Sequence, residues 1–214
     1  MKIALVMEWS TSERNETVYK VLKEVAERNG HTVVNYGQFG PEDHRQTYNQ
    51  NAVLISAILN SGAADMVVTG CGTGEGALLA ANSMPGVLCG LVVDPADSYL
   101  YTQINGGNCI SLPFAKGWGW AAEVNLEYVF DKLFAKKPGG GYPPAAAASE
   151  QNNARLLNKL KAVSHSDILT VLRSDEPEVH EMVKEAFAGK RMELFEADCK
   201  NSEILAVVKE ATAR

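Results

Sequence analysis

Five short apolar runs punctuate the first half of this chain, at Ile3–Met7, Thr32–Tyr36, Met66–Thr69, Val87–Val93 and Cys109–Leu112. A stretch with helical spacing follows each one. The runs are rich in Val, Leu and Ile, and most lack strict alternation, as strands buried on both faces of a parallel sheet require. Parallel strands need crossovers of a dozen residues or more, and the intervening segments supply them. Val18, Leu22, Val25 and Ala26 form one apolar stripe that stops at Asn29-Gly30. Further helices are expected at Ala52–Leu59, Ala77–Ala81, Ala96–Ile104 and Ala121–Phe134. The alternation predicts right-handed βαβ units in a doubly wound α/β fold. Ligands of such sheets sit at the carboxyl ends of the strands, so the residues after each run are the first place to look for chemistry.

The remainder differs in character. Gly139-Gly140-Gly141-Tyr142-Pro143-Pro144 and the alanines after it read as a linker or loop. Residues 150–214 carry helical stripes (Leu156, Leu157, Leu160; Val179, Met182, Val183, Ala186; Ile204, Val207, Val208). Ser174 or Asp175 with Pro177 marks a helix start, and one short strand is expected at Met192–Phe195. The chain thus divides into residues 1–140 and a linker with a C-terminal helical extension at 141–214.

With 20 basic and 26 acidic side chains the net charge is −6, which argues against nucleic acid as a partner. No apolar run is long enough for a membrane span, and Glu8 interrupts the N-terminal run too early for a signal peptide. Cys71, Cys89, Cys109 and Cys199 form no CxxC pair, and the four histidines are scattered. No metal site is expected; the thiols read as reduced and the protein as cytoplasmic.

The most informative stretch is Val67-Val68-Thr69-Gly70-Cys71-Gly72-Thr73-Gly74-Glu75-Gly76-Ala77. A strand runs into alternating glycines and then a helix, which presents backbone N–H groups to an anion. A Walker loop would need Gly-Lys-Ser/Thr, which is absent. A dinucleotide pattern can be drawn through Gly72, Gly74 and Ala77, with Asp94 as a ribose acid, although that fingerprint normally follows the first strand. A third reading centres on Cys71. The positive end of the following helix favours a thiolate there. A thiolate beside oxyanion donors can take a proton from a carbon next to a carbonyl. Cys89, Cys109 and Cys199 read as packed, inert thiols.

Gly70-Cys71-Gly72-Thr73-Gly74-x-Gly76, then Ala80-Ala81-Asn82-x-x-Pro85-Gly86, resembles the ribose-5-phosphate isomerase B and galactose-6-phosphate isomerase family. Asn105-Gly106-Gly107-Asn108 resembles a further segment of that family, and the resemblance spans about residues 1–140. It implies a Rossmann-like α/β/α sandwich with a five-stranded parallel sheet. It also implies a homodimer or homotetramer with active sites shared between subunits, and no metal or organic cofactor. By position Cys71 would be the base and Thr73 the enediolate partner. Gly72, Gly74 and Gly76 would supply amides, Asn105 would reach a neighbouring subunit's site, and Asn108 is a further substrate-binding candidate.

Departures from the family pattern bear on substrate. Glu8-Trp9 stands where the family has Asp-His; Glu8 keeps a carboxylate for hydroxyls, but Trp9 cannot replace a phosphate-binding imidazole. Ile104 stands where a histidine opens the sugar ring. The family's arginine clamp is thinned to Arg155, with Arg14 as a helper. One arginine suits a carboxylate. The chain therefore resembles the longer 4-deoxy-L-threo-5-hexosulose-uronate ketol-isomerases, which share its length and its Gly-Gly-Gly-Tyr-Pro stretch. The expected activity is isomerisation of a small anionic sugar, foremost that acyclic uronate, with a sugar phosphate as the alternative. A nicotinamide-dependent oxidoreductase and a non-catalytic sugar sensor are the rivals.

Overall fold

The computed structural model describes residues 1–213. Five parallel strands, β1 (Lys2–Met7), β2 (Thr32–Asn35), β3 (Met66–Cys71), β4 (Cys89–Leu91) and β5 (Cys109–Pro113), lie in the order β2-β1-β3-β5-β4. β1, β3 and β5 are buried almost throughout, while β2 and β4 form the half-exposed edges. Alternate residues of β1 serve two cores. Ile3, Leu5 and Met7 face Val18 and Leu22 of α1 (Asn15–Arg28) and Phe130 and Leu133 of α5 (Ala122–Phe134). Ala4 and Val6 face the opposite core, built on α2 (Tyr48–Ser61). Burying each large aliphatic side chain contributes about 1.5–3 kcal/mol, so both faces stabilise the sheet.

Local signals set the helix ends. Thr47 caps α2 in a reciprocal box with Gln50, and Gly62 closes it with a left-handed turn. α3 (Glu75–Asn82) starts directly from the glycine loop. Asp94 caps α4 (Pro95–Leu100), accepting from the Ala96 and Asp97 amides. The single helix expected over Ala96–Ile104 is divided: after Leu100 the backbone widens into a π-helical turn, Tyr101–Asn105, that ends on left-handed Gly106.

The extension departs from expectation in three respects. The alanines after Pro144 are helical, first in a 3-10 turn and then in α6 (Ala147–Ser164). Glu176, and not Ser174 or Asp175, caps α8 (Pro177–Ala186) through the Val179 amide. Met192–Phe195 forms no strand but lies inside α9 (Lys190–Asp198), where Phe195 is buried at helical spacing from the buried Arg191. α7 (Ile168–Leu172) and α10 (Ser202–Ala213) complete the extension. Ile168, Val183, Phe195 and Val208 join the same core as Ala4 and Val6, so the extension packs on the outer side of α2. α6 lies apart on the π-helical turn, with Leu156, Leu160 and Val163 exposed.

Candidate active site

β3 delivers Cys71 to the carboxyl edge of the sheet, and the β5 exit pins the loop that follows. The Phe114 amide donates to the Cys71 carbonyl at 2.8 Å, and the Ala115 and Lys116 amides donate to the Gly72 carbonyl at 3.0 and 2.8 Å. Ser111 Oγ donates to the Gly74 carbonyl at 2.7 Å. Gly74 turns the chain into α3 at φ +81°, a left-handed conformation that favours glycine, and a Cβ there would also crowd the Leu112–Pro113 backbone at 3.1–3.2 Å. The Cys71 side chain is nearly buried, and its Sγ lies 4.0 Å from Thr73 Oγ1. Thr73 Oγ1 also accepts from the Glu75 amide at 3.3 Å. A thiol, a hydroxyl and the Glu75 amide thus lie together at the start of α3.

The neighbouring strand supplies the other wall. Met7 of β1 is paired with Gly70 of β3, so Glu8-Trp9 leaves the sheet beside Cys71-Gly72. The Glu8 side chain is mostly buried, and its carboxylate accepts from the Ser10 amide at 3.1 Å and from the Ser10 hydroxyl. That bond opens the 3-10 helix Trp9–Arg14. Trp9 is partly exposed, and the Arg45 guanidinium stacks on its indole, 4.4 Å from the ring centre. Arg14 donates to the Phe114 carbonyl and stacks at 5.1 Å on Trp118. At the start of α2, Tyr48 covers Gly76: a Cβ there would come within 3.0 Å of the phenol ring. Asn51 Nδ2 donates to the Met7 carbonyl at 2.9 Å, and its Oδ1 has no partner among the described residues.

Cys71, Gly72, Thr73, Gly74, Gly76, Glu8 and Trp9 therefore come together. Asn105, Asn108 and Arg155 do not join them. Asn105 lines a separate cavity of about 490 Å³ at the β4 edge, with Asn82, Cys89, Tyr101 and Leu157. Asn108 is occupied structurally, accepting from the Leu88 amide and donating to the Gly86 carbonyl. Arg155 is exposed on α6 and donates to Asn152. Asp94 is engaged as a helix cap. Burial and the neighbouring Cys89 push the Cys109 thiol up, in keeping with a packed cysteine. Arg45 and Tyr48 stand in no motif or periodic stretch. Only the fold brings Arg45 to Trp9 and Tyr48 to Gly76.

The family model described as Ribose/Galactose Isomerase matches residues 3–129, a stretch that contains the whole cysteine loop and both of its walls. The chain belongs to this family. It is a sugar isomerase of the class that interconverts aldoses and ketoses. A 4-deoxy-L-threo-5-hexosulose-uronate ketol-isomerase crystallised with a tartrate is 48% identical, with full coverage of both chains and a TM-score of 0.95. A Vibrio parahaemolyticus protein described as ribose-5-phosphate isomerase LacAB_rpiB is 46% identical over 99% of each chain, with a TM-score of 0.93. The shorter ribose 5-phosphate isomerase of Thermotoga maritima is matched over 97% of its length but spans only 74% of this chain, at 21% identity and a TM-score of 0.57. That likeness concerns the fold alone. No curated protein gives a significant match. No helix among the described residues is long and apolar enough to cross a membrane.

Proposed function

We propose that this isomerase acts on an acyclic, carboxylate-bearing sugar, foremost 4-deoxy-L-threo-5-hexosulose uronate, with Cys71 as the base. The observation that carries the mechanism is the approach of the Cys71 thiol and the Thr73 hydroxyl at the start of α3. Cys71 removes the proton from the carbon beside the aldehyde. The electron pair moves into the bond between the two carbons, and negative charge collects on the former carbonyl oxygen. Thr73 and the amides of the glycine loop stabilise that oxygen, an effect worth several kcal/mol in a preorganised site. The hydroxyl proton passes to that oxygen, Cys71 returns its proton to the former aldehyde carbon, and a ketone results. No metal or organic cofactor is needed for these steps.

Three features support the uronate over a sugar phosphate. Trp9 and Ile104 replace the side chains that would bind phosphate and open a ring, and the 48% identical relative carries the uronate in its name. We read the active form as a homodimer or homotetramer in which Asn105 and Arg155 serve a neighbouring copy's site. The bare apolar side of α6, next to the cavity that holds Asn105, supports this reading. The division at residues 140/141 and a cytoplasmic location belong to the same proposal.

A proton NMR time course in deuterated water tests the function, with the uronate in one tube and ribose 5-phosphate in another. Conversion of the uronate alone, with deuterium incorporated next to the carbonyl, is expected. Conversion of ribose 5-phosphate alone would overturn the substrate assignment. Cys71→Ala should lower kcat by about 10²- to 10⁴-fold, the usual contribution of a general base; a fully active variant would remove Cys71 from the mechanism.

A further inference from the structure

Arginines in this acidic protein fall into two groups. Among the described residues, Arg28 is paired with Glu127 and Asp131, Arg173 with Glu203, and Arg191 with Asp43. Among the described residues Arg14, Arg45 and Arg155 have no carboxylate partner. Arg155 lies away from its own chain's cysteine loop and is assigned above to a neighbouring copy's site, and Arg14 spends an N–H on the Phe114 carbonyl. Arg45 has only the face of Trp9. Stacking fixes the plane of a guanidinium and leaves its N–H edge free, which is the geometry a carboxylate accepts in two parallel hydrogen bonds.

The segment carrying Arg45 runs along the rim of the site. The Trp9 amide donates to the Gln46 carbonyl at 2.8 Å, and two residues further on Tyr48 covers Gly76 of the cysteine loop. Arg45 and Tyr48 thus bracket the space outside Cys71. From the far side the extension holds this segment. Arg191 of α9, fully buried, meets Asp43 at 2.7 Å. Glu185 of α8 takes His44 on its carboxylate and Gln46 Nε2 on its carbonyl. Gly37 makes room for Arg191: at φ +91° a Cβ would lie 2.9 Å from Nη2.

We propose that Arg45, stacked on Trp9, receives the substrate's terminal carboxylate, and that α8 and α9 position it. This deepens, and rests on, the uronate reading given above. An unbranched sugar acid anchored at Arg45 extends its aldehyde end toward Cys71, so the anion is held by the β1 side of the site. Specificity then comes from a residue 36 positions from Trp9 in sequence, on a segment fixed by the extension.

The test compares wild type, Arg45→Ala and Arg45→Lys on the uronate and on its uncharged C6 amide. For the acid, Arg45→Ala should raise KM about 10- to 100-fold, the loss of a charge-assisted bond, with kcat little changed. Arg45→Lys should recover part of that loss. For the amide, wild type and Arg45→Ala should have the same KM. Equal KM for the acid in wild type and Arg45→Ala would overturn the assignment of Arg45 while leaving the uronate activity intact. A wild-type enzyme inert on the uronate would overturn both.

Discussion

Replacing Arg191 with leucine isolates the ionic contact between the extension and the site rim. The Arg191 side chain is 1% exposed and that of Asp43 16%, so water screens this pair little. Leucine keeps most of the apolar contacts of the arginine stem; besides the ion pair it loses a long bond of 3.4 Å to the Ala188 carbonyl and a cation–π contact with Phe39 at 5.7 Å, both weaker than the pair. Removing one partner of a buried pair costs about 3–5 kcal/mol, because the other charge stays behind uncompensated. For a chain of this size each kcal/mol shifts Tm by about 2–4 °C, so Arg191→Leu should unfold roughly 6–20 °C earlier. Asp43→Asn in the same chain removes the stranded charge, so the double variant should lose about 1–3 kcal/mol less than the two single changes added together. Burial works against the charge of Asp43, but the Phe39 amide, Arg191 and the His44 amide outweigh it and hold the carboxyl below its ordinary range. A depressed value in the folded state adds stability above the unfolded value near ~3.9, and that stability is lost as pH falls through the folded value. The gap between wild type and Asp43→Asn should therefore be full at neutral pH and close in acid. Urea and thermal denaturation of the four chains of the cycle measure this. A loss below about 1 kcal/mol for Arg191→Leu, or strict additivity of the two changes, would refute the reasoning.

Thr73→Val should cut kcat on the uronate by about 10²- to 10³-fold with little change in KM, the signature of a lost oxyanion donor; steady-state kinetics decide it. Leu160→Glu places a charge on the bare face that Leu156, Leu160 and Val163 form at helical spacing on α6. Light scattering should find monomers where wild type is oligomeric, with activity lost alongside; an oligomer of unchanged mass would dissociate this face from assembly.

The sheet was legible because each strand is a continuous apolar run, and the cysteine loop because strand, glycines and helix follow one another locally. The extension was less so. Met192–Phe195 is too short an apolar stretch to separate strand from helix by pattern, and Arg191 beside it reads as a solvated charge until the fold buries it. Arg45 lies on a segment without periodicity or motif, and its stacking partner belongs to another strand exit. Leu156, Leu157 and Leu160 followed a correct helical stripe, but a stripe does not reveal whether its cover comes from the same chain. Asn105 and Arg155 were carried over by resemblance, and the folded chain holds both away from Cys71.

α2 has a consequence for how the molecule is made. Residues 51–58 are buried without interruption, because the sheet lies on one side of the helix and the extension on the other. A nascent chain that has emerged only as far as α6 has strands, crossovers and the cysteine loop, but α2 still shows water a face of Ala, Val and Ile. That face is covered only when α7, α8 and α10 arrive. Exposed apolar surface of this kind invites aggregation and chaperone capture. Synthesis of α7, α8 and α10 is therefore the step that takes this face of α2 out of water.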